Sequence, residues 1–185
     1  MVAPTGRTRL YCSGACRQAA HRRRHARLRT TREVLGSSRS DDWPTDPGFF
    51  SVMNERYGPF DLDPCATAEN AKCPRFYTRE DDGLSRPWTG RVFCNPPYGR
   101  QIGAWVARAY EAAQGEAELV VCLLPARTDT SWWHDYATRG EVEFVRGRLR
   151  FGPLTNPAPF PSVVVVFRAD PELRNAAGVT KGRAA

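Results

Sequence analysis

From residue 41 onwards the chain alternates short apolar runs with stretches of helical periodicity, and that alternation predicts an α/β fold. Phe60-Asp61-Leu62-Asp63 reads as a first strand and Arg91-Val92-Phe93-Cys94 as a second. Ile102, Trp105, Val106 and Ala109 recur at helical spacing, which predicts a helix over 102–113. Residues 118–124 form a nearly unbroken apolar run of the kind found in parallel strands covered on both faces, stopped by Pro125. Residues 131–138 read as a helix, and residues 141–145 and 162–167 as two further strands joined by a loop rich in proline and glycine. Upstream, residues 1–11 show no periodicity, residues 12–32 spell a turn and a basic helix, and Gly36-Ser37-Ser38-Arg39-Ser40 reads as a linker. The expected organisation is a basic arm over 1–40, one α/β domain over 41–168 and a flexible tail over 169–185.

In open α/β sheets, ligands bind beyond the carboxyl ends of the strands. Three predicted strands end in unusual residues: Asp63-Pro64-Cys65, Asn95-Pro96-Pro97-Tyr98 and Pro125-Ala126-Arg127. Far apart in sequence, these ends are expected to converge in space. The second carries a recognisable chemistry. An exocyclic amine on an aromatic ring, such as that of adenine, is a poor nucleophile because its lone pair is delocalised into the ring. Two acceptors aimed at its two hydrogens favour a more pyramidal nitrogen and free that lone pair. Asn95 supplies a side-chain oxygen and Pro96 a backbone carbonyl. Each proline fixes φ at about −65°, so the acceptors are set before the amine arrives. Tyr98 offers a ring on which an extruded base can stack. With a sulfonium as methyl donor no strong general base is required, because the nitrogen becomes acidic only after attack. A strand-ending Pro-Pro turn without chemistry is the competing reading of these four residues alone.

Composition narrows the class. The chain has 185 residues, 41% hydrophobic and 25% charged, enough for one globular domain with a core. No apolar run approaches membrane-spanning length, and the N-terminus lacks the apolar stretch of a signal peptide. A cytoplasmic protein that spans no membrane is expected, its six cysteines being thiols or metal ligands rather than disulfides. The net charge of +7 is uneven: residues 1–40 carry ten arginines against one acid, Glu33, so the arm is +9 and the remaining 145 residues are −2. A polyanion such as nucleic acid fits that arm, and a solvated basic tail is the alternative. Within the arm, His21 and His25 share one helical face, and with Cys12 and Cys16 they have the chemistry of a tetrahedral zinc site. Only four residues separate the Cys pair from the His pair, fewer than in a conventional finger, so a basic helix with incidental Cys and His competes with zinc.

Read in order, Asp42-Trp43-Pro44-Thr45-Asp46-Pro47, FDLDPCAT at 60–67, DDGLSRPW at 81–88, FCNPPYG at 93–99, LLPARTDTSWWH at 123–134 and GRLRF at 147–151 resemble the phage-type DNA N6-adenine methyltransferases, a compact Dam-like family. The resemblance runs from Asp42 to Phe167. It implies a class I, Rossmann-like sheet that uses S-adenosylmethionine (SAM), and transfer of its methyl group to the adenine amino group in DNA. It assigns Asn95, Pro96, Pro97 and Tyr98 to the catalytic motif. It places Asp63 and Pro64 at the methionine end of SAM, Thr45 and Pro47 in a segment closing over the same region, and Asp82 near the cofactor adenine. Phe151 becomes a candidate second face for the flipped base, and reads equally as core. Arg127, Arg148 and Arg150 are candidate phosphate contacts or solvated surface. Of the two acids on the first strand, Asp63 is favoured as functional. Trp132 and Trp133 read as packing ahead of a base clamp, and Cys65, Cys94 and Cys122 as small core residues.

Two departures from the family pattern stand out. The loop after Asp63 lacks the expected GxG, and only 29 residues lie between Asp63 and Phe93. A sheet reduced in strand number is therefore expected, with Glu69 the only candidate for a ribose-binding acid. Sequence choice in the DNA is expected from residues 127–133, residues 146–161 or the arm. The rival functions are methylation of another planar amine (cytosine N4, RNA adenine or a protein glutamine) and non-catalytic DNA binding on a decayed methyltransferase fold. Asn95 leans towards adenine and the basic arm towards nucleic acid. Nothing in the sequence specifies an oligomeric state.

Overall fold

Leu119–Leu124 are six consecutive residues with almost no exposure, and such a run is satisfied only inside a sheet covered on both faces. The computed structural model, which describes residues 41–152 and 157–169 together with Gln18, places it there. Its elements are α1 (Pro47–Tyr57), β1 (Leu62–Asp63), β2 (Arg75–Phe76), β3 (Gly90–Cys94), α2 (Ile102–Gly115), β4 (Ala117–Pro125), α3 (Ser131–Asp135), a 3-10 turn (Ala137–Arg139), β5 (Glu141–Phe144) and β6 (Ser162–Arg168). The strands form one sheet in the order β2-β1-β3-β4-β6-β5. β2, β1, β3 and β4 run parallel. β6 runs antiparallel to β4, and β5 antiparallel to β6.

Alternation along the strands builds two apolar layers. On one face Phe93 meets Phe50 of α1 and Phe60, with ring centroids 5.1 and 5.5 Å away. On the other, Tyr110 of α2 lies edge-on to Phe167 at 5.9 Å, and α2 buries Ile102, Trp105, Val106, Ala109, Ala112 and Ala113. Helices on both faces of a mainly parallel sheet give the Rossmann-like arrangement, and the sheet is short at one edge. β1 and β2 are two residues each, and the segment between them is turns rather than helix. The expected reduction therefore falls on the β1–β2 side.

Several elements differ from the sequence pattern. The helix α1 was not expected, yet its start is encoded: the Asp46 side chain accepts the Phe49 N–H at 3.0 Å and Pro47 occupies the first turn. β2 is too short to show alternation. The strand expected over 60–63 contracts to Leu62–Asp63, and just before it the Asp61 carboxylate accepts the Arg91 N–H at 2.7 Å. β4 continues through Pro125, whose missing N–H opens no gap at the last rung, opposite Ser162. The helix expected over 131–138 breaks at Tyr136 into α3 and the 3-10 turn.

Centre and edge of the sheet differ in what truncation should cost. Phe93→Ala is expected to lower stability by about 3–5 kcal/mol, whereas Phe144→Ala on the edge strand, where the ring is 74% exposed, should cost less than about 0.5 kcal/mol. Urea denaturation of both variants measures the difference, and equal losses would contradict this layer assignment.

Candidate active site

β3 ends at Cys94, and strand parity carries Asn95 onto the Phe93 face, where the segment leading into α1 lies. The Asn95 Nδ2 donates to the Trp43 carbonyl at 2.5 Å and to the Thr45 hydroxyl oxygen at 2.9 Å. A backbone carbonyl only accepts, so the nitrogen of the carboxamide must face it and the orientation of the group is fixed by chemistry. Its Oδ1 is buried and has no hydrogen-bond partner among the described residues. Leaving a buried acceptor unpaired costs about 1–3 kcal/mol. The geometry thus presents an oriented oxygen that requires an N–H or O–H donor. Pro96 is buried beside it. The Cys65 sulfur lies 3.7 Å from that of Cys94, which joins the loop after β1 to the end of β3.

The segment before α1 ties this turn to the rest of the domain. The Asp41 carbonyl accepts the Tyr98 N–H at 2.8 Å, and the Pro44 carbonyl accepts the Gly152 N–H at 2.7 Å. Thr45 is 4% exposed. It was expected in a segment closing over the cofactor, and in this structure its hydroxyl engages Asn95. Pro47 is exposed on the first turn of α1.

Tyr98 and Phe151 were expected to offer faces to a base, and neither ring has an open face here. Tyr98 is 4% exposed and Phe151 1%. Trp43 meets Phe151 and Phe160 edge-on at 5.4 and 5.0 Å. Tyr98 meets the same two rings at 6.1 and 5.5 Å. Rings gathered at one sheet end gain more by covering one another than by facing water, and Phe151 packs here as part of the core. The Tyr98 hydroxyl donates to the Leu123 carbonyl at 3.1 Å, and burial pushes its phenol well above the ordinary tyrosine value.

Asp63 closes β1 with a carboxyl group that is 5% exposed. Burial pushes it up to about 6, and the Cys65 and Lys72 N–H groups, each at 3.4 Å, offset this only in part. Such a group is poised to ionise beside an incoming cation. Next to it, Gly83 allows a close backbone approach to the end of β1. A Cβ at Gly83 would stand 2.0 Å from the Pro64 carbonyl oxygen, so the turn over residues 78–85 lies directly on the Asp63-Pro64 bend. That contact brings Asp82 to the same strand end, exposed and at φ +51°, a left-handed conformation that Asp tolerates better than most residues. Asp81 is occupied, accepting the Thr78 N–H and hydroxyl at 2.9 and 2.8 Å. Glu69 is exposed on a separate turn, where a hydrogen bond from Thr67 holds its carboxyl below the usual range.

The remaining candidates divide between surface and core. Arg127, Arg148 and Arg150 are exposed. Arg148 and Arg150, with Asp46, Phe49, Leu149 and Pro157, line an open cleft of about 650 Å³ that contains neither Asn95 nor Asp63; the chemistry sits at the strand ends. Trp132 and Trp133 are packing residues, both under 8% exposed. Cys65 and Cys94 lie with sulfurs 3.7 Å apart, and burial pushes both thiols up, so they serve as neutral packing groups. Among the described residues no three His, Cys, Asp or Glu side chains are placed to hold a metal ion. Cys12, Cys16, His21 and His25 lie outside the described residues. Asp63 and Asn95 were legible as strand-end residues. Trp43 was missed as an anchor because it acts through its carbonyl, and Gly83 because its role depends on a turn far from β1 in sequence.

Comparison with known proteins adds to this geometry. Residues 33–170 match the model of the family described as DNA N-6-adenine-methyltransferase (Dam). A protein of Escherichia phage T1 named DNA N-6-adenine-methyltransferase is 36% identical over 95 residues, covering 50% of this chain and 39% of its own length. A protein of the same name from Haemophilus phage HP1 (strain HP1c1) is 31% identical over 147 residues, covering 74% of this chain and 84% of its own length. The chain therefore spans about two fifths of the T1 protein and most of the HP1 protein.

Two outcomes follow from the β1 end. The Asp63 carboxyl titrates at about 6 in the folded chain against an ordinary value of 3.8. As pH rises through that window the unfolded chain ionises first, so stability is lost, reaching a constant penalty of about 2–3 kcal/mol above it. Urea midpoints at about pH 4 and about pH 7.5 should differ in the wild type more than in Asp63→Asn by that amount; identical pH dependence would contradict the burial of the charge. Gly83→Ala is expected to cost about 1–3 kcal/mol in the same measurement, and a neutral effect would show that the turn does not bear on Pro64.

Proposed function

The chain belongs to the DNA N-6-adenine-methyltransferase (Dam) family, and from that premise we propose that it transfers the methyl group of SAM to the exocyclic N6 of adenine in DNA. The observation that carries the proposal is the buried, unpartnered Oδ1 of Asn95, held in one orientation by its own amide nitrogen. An acceptor fixed in this way is complementary to an amine and not to a carbonyl. The names of the T1 and HP1 relatives supply the choice of adenine in DNA over other planar amines.

Asn95 accepts one hydrogen of the amine and the Pro96 carbonyl the other, and the two prolines hold these acceptors in place without reorganisation. The lone pair is thereby turned out of conjugation. Bound SAM supplies a methyl group made electrophilic by its sulfonium. Asp63, pushed up to about 6 when unpaired, would ionise to hold the cationic methionine end, and Asp82, on the turn seated on Pro64 by Gly83, would hold the adenosine end. The fit to SAM rests on that buried acid and that close-packed turn. Arg127, Arg148 and Arg150 are exposed on the loops after β4 and β5, as phosphate contacts require. The basic arm adds charge for the same polyanion. Zinc at Cys12, Cys16, His21 and His25 is a separate proposal supported by donor chemistry alone, and metal analysis of the purified chain tests it.

Asn95→Ala should lower transfer of tritium from labelled SAM to DNA by at least about 100-fold while the urea transition stays cooperative. Activity within a few-fold of wild type would overturn the proposed role of Asn95.

A further inference from the structure

We infer that Thr45 is a positioning residue for methyl transfer: its hydroxyl, together with the Trp43 carbonyl, locks the Asn95 carboxamide so that Oδ1 alone faces the amine. The inference deepens the proposed function and rests on it. One acceptor fixes which end of a carboxamide points towards it, but leaves the group free to pivot about that single hydrogen bond. A second acceptor on the other Nδ2 hydrogen removes the pivot. The structure supplies both, the Trp43 carbonyl at 2.5 Å and the Thr45 hydroxyl at 2.9 Å. Thr45 is 4% exposed, so water has little access to replace its hydroxyl.

The position of that hydroxyl is itself imposed from both sides. Immediately after it, Asp46 caps α1 by accepting the Phe49 N–H at 3.0 Å. Immediately before it, the Pro44 carbonyl accepts the Gly152 N–H at 2.7 Å, and proline restricts the backbone of the preceding Trp43. Thr45 is thus held between α1 and the loop that carries Phe151, and it relays that placement to Asn95. A consequence for selectivity follows. With Oδ1 fixed as an acceptor, a base presenting a donor amine is satisfied, whereas one presenting an oxygen at the same position, as hypoxanthine does, meets acceptor against acceptor.

Thr45→Val keeps the shape and removes the acceptor, while Thr45→Ser keeps the hydroxyl. The inference expects Thr45→Val to lose at least about tenfold in kcat, with SAM affinity, measured by equilibrium titration, unchanged within about twofold, and Thr45→Ser to stay near wild type. A second readout does not use activity: in 15N-resolved NMR of the full chain, hydrogen exchange of the Asn95 side-chain amide should be slow in the wild type and in Thr45→Ser and faster in Thr45→Val. Wild-type kcat in Thr45→Val, a Thr45→Ser variant as impaired as Val, or a loss of SAM affinity with kcat preserved would each overturn the inference, the last making Thr45 a cofactor contact. If the wild-type chain transfers no methyl group to adenine while the exchange pattern holds, the proposed function fails and the anchoring stands.

Discussion

The candidate site depends most on one hydrogen-bonded group, the Asn95 carboxamide. Both of its donor hydrogens are directed into the protein, at Trp43 and Thr45, and its oxygen is left buried without a partner among the described residues. Folded proteins rarely leave such an atom unpaired, and where they do the cost is commonly tolerated for function. Here the same bonds that create the orphan oxygen also define its direction. The site is therefore pre-organised towards a donor before any substrate arrives.

The rest of the domain serves that placement. Parallel β1, β3 and β4 bring Asp63, Asn95 and Pro125 to one edge of the sheet. The Cys65 thiol joins the first loop to the end of β3 through the Cys94 sulfur, 3.7 Å away. The segment 41–46 bridges the catalytic turn, the start of α1 and the loop at Gly152. A sheet trimmed to two-residue strands on one side still presents these ends because β4 and β6 behind them are almost wholly buried. Gly83, on a neighbouring turn, allows close packing against the Pro64 carbonyl at the end of β1.

Much of this was legible in the sequence. The apolar run 118–124 and the helical spacing from Ile102 encoded β4 and α2 directly, and the strand-end residues Asp63 and Asn95 converge as expected. Tertiary partnership was not legible. Thr45 and Pro47 resemble a cofactor-closing segment, yet the Thr45 hydroxyl binds Asn95, a contact across 50 residues that no local pattern encodes. Tyr98 reads as a face for a base and Phe151 as either such a face or core, and the structure packs both among Trp43 and Phe160. The helix α1 was overlooked although Asp46-Pro47 is a cap signal, because its apolar residues Phe50, Met53 and Tyr57 are interleaved with other apolar side chains.

The measurement that bears most directly on an oriented acceptor for an amine is the identity of the product. Unmethylated DNA incubated with the wild-type chain and methyl-labelled SAM, then digested to nucleosides and separated by chromatography, should carry its label in N6-methyladenine. Label in N4-methylcytosine, or DNA that takes up no label while the chain binds SAM, would contradict it.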